Sequence, residues 1–375
     1  MTKQRFSTML MLAAIVLVGM AQSPGGKRFK QIARQMPTEW YATAEAMAAA
    51  DSVLKYQFPS GGWAKNQDWH QQPEGQKLTE RQEIWAAIHS DKPIGSTIDN
   101  DATFSEMLLL TKVYEATKKK KYREGFIRGL DFLLTMQYDN GGWPQFYPSR
   151  PPDSDGKPYY SDHITFNDNA MANVMLLLRD IHGNAAPYDQ LKLNDKQREQ
   201  AKHAFDKGIE CILNTQIKKD GKLTVWCQQH DEVTLLPAKA RKYELPSFTG
   251  CGETTTLLNL LMDQPNPDER IVRAVSSAIE WLKAHAINDM ALEYFTNKDG
   301  KRDRRLVHRF GAPPIWGRYY DLDTEEPFVC DRDGIKQPAL EYIGYERRNG
   351  YGWYSTDTEK AIKRYEKWIK AVDKN

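Results

Sequence analysis

Two short stretches of the chain concentrate oxygen donors. TIDND (97–101) sets Asp99, Asn100 and Asp101 in a row, and HITFNDN (163–169) sets Asn167, Asp168 and Asn169 in a row, with Asp162 just before it. Carboxylates and side-chain amides are hard ligands, the set that suits calcium. Capping a helix start needs one such side chain. Three in succession, twice, exceed that need, and Asp99 and Asp162 are the candidates for metal or substrate contact. The spacing and terminal glutamate of an EF-hand are not there.

A second region, 226–253, reads WCQQHDEVTLLPAKARKYELPSFTGCGE. Lys239 and Arg241 sit between two prolines, beside Tyr243 and Glu244. His230 and Asp231 suit general acid–base chemistry and equally suit a structural hydrogen bond. A third region, 304–334, places Arg309 and Arg318 around a proline-containing segment that helices avoid, interleaved with Trp316, Tyr319 and Tyr320. Arginine grips carboxylates in a bidentate fork, and neighbouring rings can stack on carbohydrate. No GxSxG, HExxH or phosphate loop occurs, so nucleotide chemistry and triad-type hydrolysis have no support.

The elements that must position these groups repeat weakly along the chain. YQFPSGGWAKN (56–66) resembles QYDNGGWPQFY (137–147), placing Trp63 and Trp143 at 143 − 63 = 80 residues apart, and Trp226 follows at 226 − 143 = 83. Each is followed by a polar turn and an apolar run: TIDNDATFSEMLLL, TFNDNAMANVMLLL and, more loosely, ETTTLLNLLM. Asp or Asn before such a run marks a helix start. Between these signatures, Phe126, Leu130, Leu133 and Leu134 recur at helical period, as do Ile362, Tyr365, Trp368, Ile369 and Val372 near the C-terminus. The expectation is an all-α stack or ring of helical hairpins, each needing its neighbours to bury its apolar stripe. Repeated GGW turns with polar neighbours suggest a cleft rim whose rings, Trp143 among them, meet substrate.

The 375-residue chain has ordinary globular composition, 27% charged and 40% hydrophobic. Lys3 and Arg5 precede an apolar run at 9–18 and small residues at 19–21, which reads as a signal peptide over 1–21, with a single domain over 22–375. The expected location is secreted or periplasmic. Losing Lys3 and Arg5 takes the formal net charge from +2 to 0, so attraction for a polyanion must come from a local patch, and nucleic acid is disfavoured. Four widely spaced cysteines show no CxxC zinc pattern. No oligomerisation motif is visible, so a monomer is expected.

Taken in order, FPSGGWAKN, TIDNDAT, DNGGWPQFYP, HITFNDNAM, WCQQHDEVTLLPAKARKYELPS, RFGAPPIWGRYYDL and YGWY resemble the pectate lyases of polysaccharide lyase family 10, from about Phe58 to Tyr354. The resemblance implies an (α/α) toroid with a wide central substrate cleft. It implies calcium-dependent β-elimination on α-1,4-linked polygalacturonate, giving 4,5-unsaturated galacturonides. The position matching the family's catalytic base is Arg241. Asp99 and Asp162 match calcium-associated or site-lining carboxylates. Arg309 and Arg318 match residues that grip substrate carboxylates, and Lys65, Asn100, Lys239, Trp143 and Tyr319 complete the expected substrate contacts. Asp101 adds a charge where the family carries a smaller residue. A guanidinium cannot accept a proton, so the base must be a neutral minority form. Calcium, with Lys239 or Arg309, is expected to push it that way, giving an alkaline optimum.

Two other readings fit the same residue types. One is an (α/α) glycoside hydrolase on uronic-acid oligosaccharides, with Asp99 and Asp162 as its acid and base. The other is a non-catalytic pectin-binding protein.

Overall fold

The computed structural model describes residues 28–70, 96–148, 160–241 and 243–372. The segment read as a signal peptide lies outside them. Among the described residues no helix is long and apolar enough to cross a membrane.

The chain folds as an (α/α) toroid with two layers of helix. Phe104–Thr117, Ala170–His182 and Glu253–Met262 form an inner layer, packed side by side. These helices are apolar almost all round, as LNLLM and NVMLLL require. Ala44–Lys55, Lys120–Thr135, Asp195–Thr215 and Glu269–Ala284 form the outer layer. They are amphipathic, each burying one stripe such as Ile271, Val275, Ile279 and Leu282. The C-terminal helix Asp357–Val372 packs against the last inner and last outer helix.

The repeat is reproduced in hydrogen bonds. At the ends of the first three outer helices a glutamine amide crosses to the next one: Gln57 Nε2 reaches Gly125 O at 2.9 Å, Gln137 reaches Ala204 O at 2.8 Å, and Gln216 reaches Ala274 O at 2.8 Å. The tryptophan that follows turns back into the core. Trp63 Nε1 donates to Val53 O at 2.8 Å, Trp143 to Leu133 O at 2.8 Å and Trp226 to Ile212 O at 2.7 Å. Gly61 and Gly141 allow this turn. Both have positive φ, and a Cβ on either would collide with a carbonyl of the next outer helix.

After each tryptophan a two-residue strand leads to an inner helix, and it pairs with a strand of the following repeat. Ser96–Thr97 pairs with Phe146–Tyr147, Ile164–Thr165 with Gln229–His230, and Phe248–Thr249 with Tyr319–Tyr320. This chain of pairings brings the three polar turns together. The last pair extends into a four-stranded antiparallel sheet through Pro327–Cys330 and Lys336–Gln337. A longer hairpin, Met290–Thr296 with Arg302–His308, adds strand that the helical reading of the sequence did not anticipate. Its strands, MALEYFT and RDRRLVH, carry charges on both faces, so no clean alternation marks them.

Candidate active site

The three inner helices begin at one end of the toroid, directly after the polar turns 99–101 and 167–169 and after Gly252. Their N-terminal dipoles favour negative charge there. The first two turns carry left-handed backbone, with φ of 55° at Asn100, 65° at Asp101 and 51° at Asp168. Asn and Asp tolerate this region better than most residues.

Asp99 is buried, with Oδ2 2.5 Å from Lys65 Nζ. Its Oδ1 is sealed from solvent and has no hydrogen-bond partner among the described residues. Asp101 faces away and is held by Arg34 at 3.0 Å and Lys30 at 3.3 Å. Burial works against its charge, but the bonds and charges of Arg34 and Lys30 win and keep its carboxyl below the usual range. Of the two carboxylates in TIDND, Asp99 is therefore the one with a ligand atom that no described residue pairs. Asp162 lies close by: Gln145 N–H donates to Ser161 O while Gln145 O accepts Ile98 N–H, so both acids flank one strand segment. Asn100 is exposed and bonds Asn66 Oδ1 at 3.1 Å.

Across from Asp99 lies an acidic group threaded by one arginine. Arg318 Nη2 bonds Asn167 Oδ1 at 3.1 Å, Asp168 Oδ1 at 3.2 Å and Glu253 Oε1. Gln228 braces the same group, reaching Asn167 Oδ1 at 2.9 Å and Glu253 Oε1 at 3.0 Å. Asp168 keeps 44% of its side chain open. Burial by the surrounding walls raises its pKa, Arg318 opposes this, and the charges of Glu253 and Asp99 add to the rise. An open carboxylate near other acids and still desolvated belongs on the floor of a cleft. A pocket of about 710 Å³ opens on this side, between Asp168, Glu253, Arg318 and Tyr354.

Arg241 joins the group through Glu244, which lies 3.7 Å from its Nη1. Its guanidinium also sits 5.2 Å from the ring of Tyr160 and bonds the Tyr243 hydroxyl at 3.4 Å. Burial would lower its pKa, but Glu244, Tyr243 and Tyr160 outweigh burial and the net shift is upward. Among the described residues its ion-pair partner is an acid, Glu244, and that pairing favours the charged guanidinium. Glu244 is raised in turn, by burial first, with Arg241 opposing and Asp168 adding to the rise.

The other expected contacts divide. Lys65 reaches the site through Asp99, while Lys239 is exposed beside Arg241. Arg309 is exposed after the long hairpin, its backbone tied to Asp289 O, and among the described residues no hydrogen bond or ion pair joins its side chain to the acids. Trp143 cannot stack on a sugar, because it is fully buried and its N–H is used inside the core. Tyr319 is also fully buried, its hydroxyl on Gln228 and, at 2.5 Å, on the Tyr351 hydroxyl. Arg318 is 13% exposed; its three protein acceptors all meet Nη2, so that nitrogen organises the acids, while Nε has no hydrogen-bond partner among the described residues.

Glu253, Gln228 and Tyr351 were not singled out from the sequence, and Asp168 stood in the polar run there but was passed over as a ligand in favour of Asp162. The left-handed turn required of Asp168 was the available signal. Elsewhere, His163, Asp231 and Glu232 bring ligand atoms within 4.8 Å of one another. His163 Nδ1 and Glu232 Oε2 form a 2.8 Å pair, and an imidazole is a poor calcium donor, so this group does not replace Asp99 as the calcium candidate.

The model of the pectic acid lyase family matches residues 57–362. A family 10 polysaccharide lyase from Cellvibrio cellulosa is 33% identical, with a TM-score of 0.72 over 90% of this chain and 94% of that one. A mutant of the Cellvibrio cellulosa family 10 lyase, in complex with trigalacturonic acid, is 34% identical, with a TM-score of 0.71 over 88% and 95% of the two chains. No curated protein matches the chain. With the family model spanning most of its length and these relatives covering nearly all of it, the chain belongs to the pectic acid lyases and is a polysaccharide lyase.

Proposed function

We propose that the protein cleaves polygalacturonate by calcium-dependent β-elimination, with Arg241 as the base. The observation that carries the reading is the meeting of Arg241, Glu244, Asp168 and Asp99 at the inner-helix N-termini of a polysaccharide lyase. The trigalacturonic acid held by the Cellvibrio relative supports the substrate class.

The donor set fits calcium. Asp99 offers a buried carboxylate oxygen with no partner among the described residues, Asp168 keeps a partly open carboxylate at the next inner-helix turn, and Asp162 would be the further ligand. Calcium, when bound there, neutralises the uronate carboxylate and makes the neighbouring C5–H acidic.

The protein's own groups do the rest. Lys65 holds Asp99 in place. Arg318 and Gln228 fix Asp168 and Glu253 and keep like charges from driving them apart. The deprotonated nitrogen of Arg241 takes the C5 proton. The electron pair forms the double bond between C4 and C5, the C4–O bond breaks, and the departing oxygen takes a proton from water. Each pH unit below the guanidinium's pKa costs about 1.4 kcal/mol in populating the neutral form, so the rate rises into alkaline pH. Glu244 deepens that cost in the empty site, and turnover requires Arg241 to leave it.

Acidic pectate is preferred to methyl-esterified pectin, because the calcium site needs free carboxylates. The working form is the exported monomer without residues 1–21, which N-terminal sequencing and sedimentation test. The mechanism is tested with Arg241→Lys on polygalacturonate, followed by ultraviolet absorbance of the unsaturated product. Lysine keeps the charge and loses the guanidinium geometry. Nearly all turnover should vanish with substrate binding retained. Wild-type rates would remove Arg241 from its role, and chain shortening without the absorbance would indicate a hydrolase.

A further inference from the structure

Arg347 is a buried cation that the proposed mechanism does not use. It lies in the short helix Tyr345–Gly350, is 4% exposed, and has no carboxylate in ion-pair contact among the described residues, Asp331 acting on it only from longer range. Its Nε donates to Cys330 O at 3.3 Å, and its Nη2 has no hydrogen-bond partner among the described residues. A buried charge held this way is unfavourable unless something else stabilises it. Three aromatic rings surround it. The guanidinium carbon is 4.1 Å from the ring centre of Tyr351, 4.9 Å from that of Trp353 and 5.0 Å from that of Tyr243. Desolvated cation–π contacts of this kind are among the stronger ones.

Two of those rings touch the site arginines. The Tyr243 hydroxyl accepts from Arg241 Nη1 at 3.4 Å. The Tyr351 ring carries the Arg318 guanidinium at 4.4 Å, and its hydroxyl meets that of Tyr319 at 2.5 Å. The order in space is Arg241, Tyr243, Arg347, Tyr351, Arg318. A planar cation between the two tyrosines sets how far apart they stand, and so how far the base stands from the arginine that organises Asp168 and Glu253.

We infer that Arg347 is a positioning residue for β-elimination, holding Arg241 and Arg318 in register through Tyr243 and Tyr351. The inference rests on Arg241 serving the lyase site, and its test keeps the two apart. Arg347→Lys retains the charge and loses the planar stack. Tyr243→Phe retains the ring and loses the hydroxyl contact with Arg241. On polygalacturonate, Arg347→Lys should lower kcat by up to about 100-fold, the loss a misplacement near 1 Å can bring. Its melting temperature should stay near that of the wild type. Tyr243→Phe should lower kcat as well, and the double variant should lose less than the product of the two single losses, because both act on one position. A residue that only stabilises the fold changes the amount of folded enzyme and gives effects that multiply.

Wild-type kcat in Arg347→Lys, or losses that multiply, would overturn the inference. If Arg347→Lys does not fold, Tyr243→Leu and Tyr351→Leu replace it in the same cycle, with coupling supporting the inference and simple multiplication overturning it. Arg241→Lys is measured alongside. Activity retained there overturns the site reading together with the inference. Activity lost there, with multiplying losses at Arg347, overturns the inference alone.

Discussion

Glu106 should make the protein less stable in the alkaline range where its chemistry is expected to run fastest. Its carboxyl sits in the first turn of the inner helix Phe104–Thr117, 3% exposed, beneath the turn that carries Asp99. Oε1 accepts from Trp69 Nε1 at 2.7 Å, and Oε2 has no hydrogen-bond partner among the described residues. Burial raises its pKa to about 7 from an ordinary 4.5, only partly opposed by the Trp69 bond. The sign follows from which form the fold prefers. Below 4.5 the group is protonated in both folded and unfolded chains and carries no penalty. Between 4.5 and about 7 the unfolded chain ionises first, so stability falls as pH rises and levels off above 7. At about 1.4 kcal/mol per pH unit, the total loss is on the order of 3 kcal/mol. Glu106→Gln keeps an oxygen for Trp69 and cannot ionise. The wild type and Glu106→Gln should melt at similar temperatures near pH 4.5, with Glu106→Gln ahead by roughly 4 °C at pH 8–9, taking about 1.4 °C per kcal/mol for a chain of this length. A melting difference that is the same at both ends of this range would refute the argument, because no other ionisable group changes between the two proteins.

Exhaustive chelation should abolish cleavage of polygalacturonate and leave the far-ultraviolet circular dichroism unchanged, with calcium restoring the rate. Activity that survives chelation would exclude the calcium role. Asp99→Asn should lose calcium-dependent activity almost entirely, whereas Asp101→Asn should keep it and lose less than about 1 kcal/mol of stability, since its partners Lys30 and Arg34 are largely exposed. Calcium titration of the two variants separates the roles. Trp143→Leu should destabilise the fold by about 3 kcal/mol, as truncation of a fully buried indole does, while KM for polygalacturonate stays unchanged. A raised KM with normal stability would return Trp143 to the substrate surface.

The helical architecture was legible because its cause is periodic. Apolar runs at helical spacing, and tryptophans recurring about every eighty residues, describe hairpins that must pack on one another. The direction of those tryptophans was not legible. Spacing places Trp63 and Trp143 at turns, but the indole N–H needs an acceptor, and Val53 O and Leu133 O near the ends of the preceding helices provide it inside the core. Tyr319 sits at the back of the site for a related reason, its hydroxyl being satisfied by Gln228 and Tyr351. Asp99 could be found locally, since an excess of oxygen donors before a helix is a sequence feature. Glu253 could not, because its neighbours read only as the start of another helix. Its role follows from Arg318, 65 residues away in the chain, and from strand pairing that no local pattern encodes. Arg241 was found through resemblance, and its partner Glu244 through proximity in sequence. That this acid holds the arginine charged follows only from the buried geometry.

The central claim is that a nitrogen of Arg241 removes the C5 proton of a galacturonate held against Asp99. A crystal structure of the protein with calcium and a galacturonate trimer tests it most directly. The account predicts an Arg241 nitrogen within roughly 3–3.5 Å of C5 on the sugar whose carboxylate meets the metal. An Arg241 still paired with Glu244, with another side chain facing C5, would contradict it.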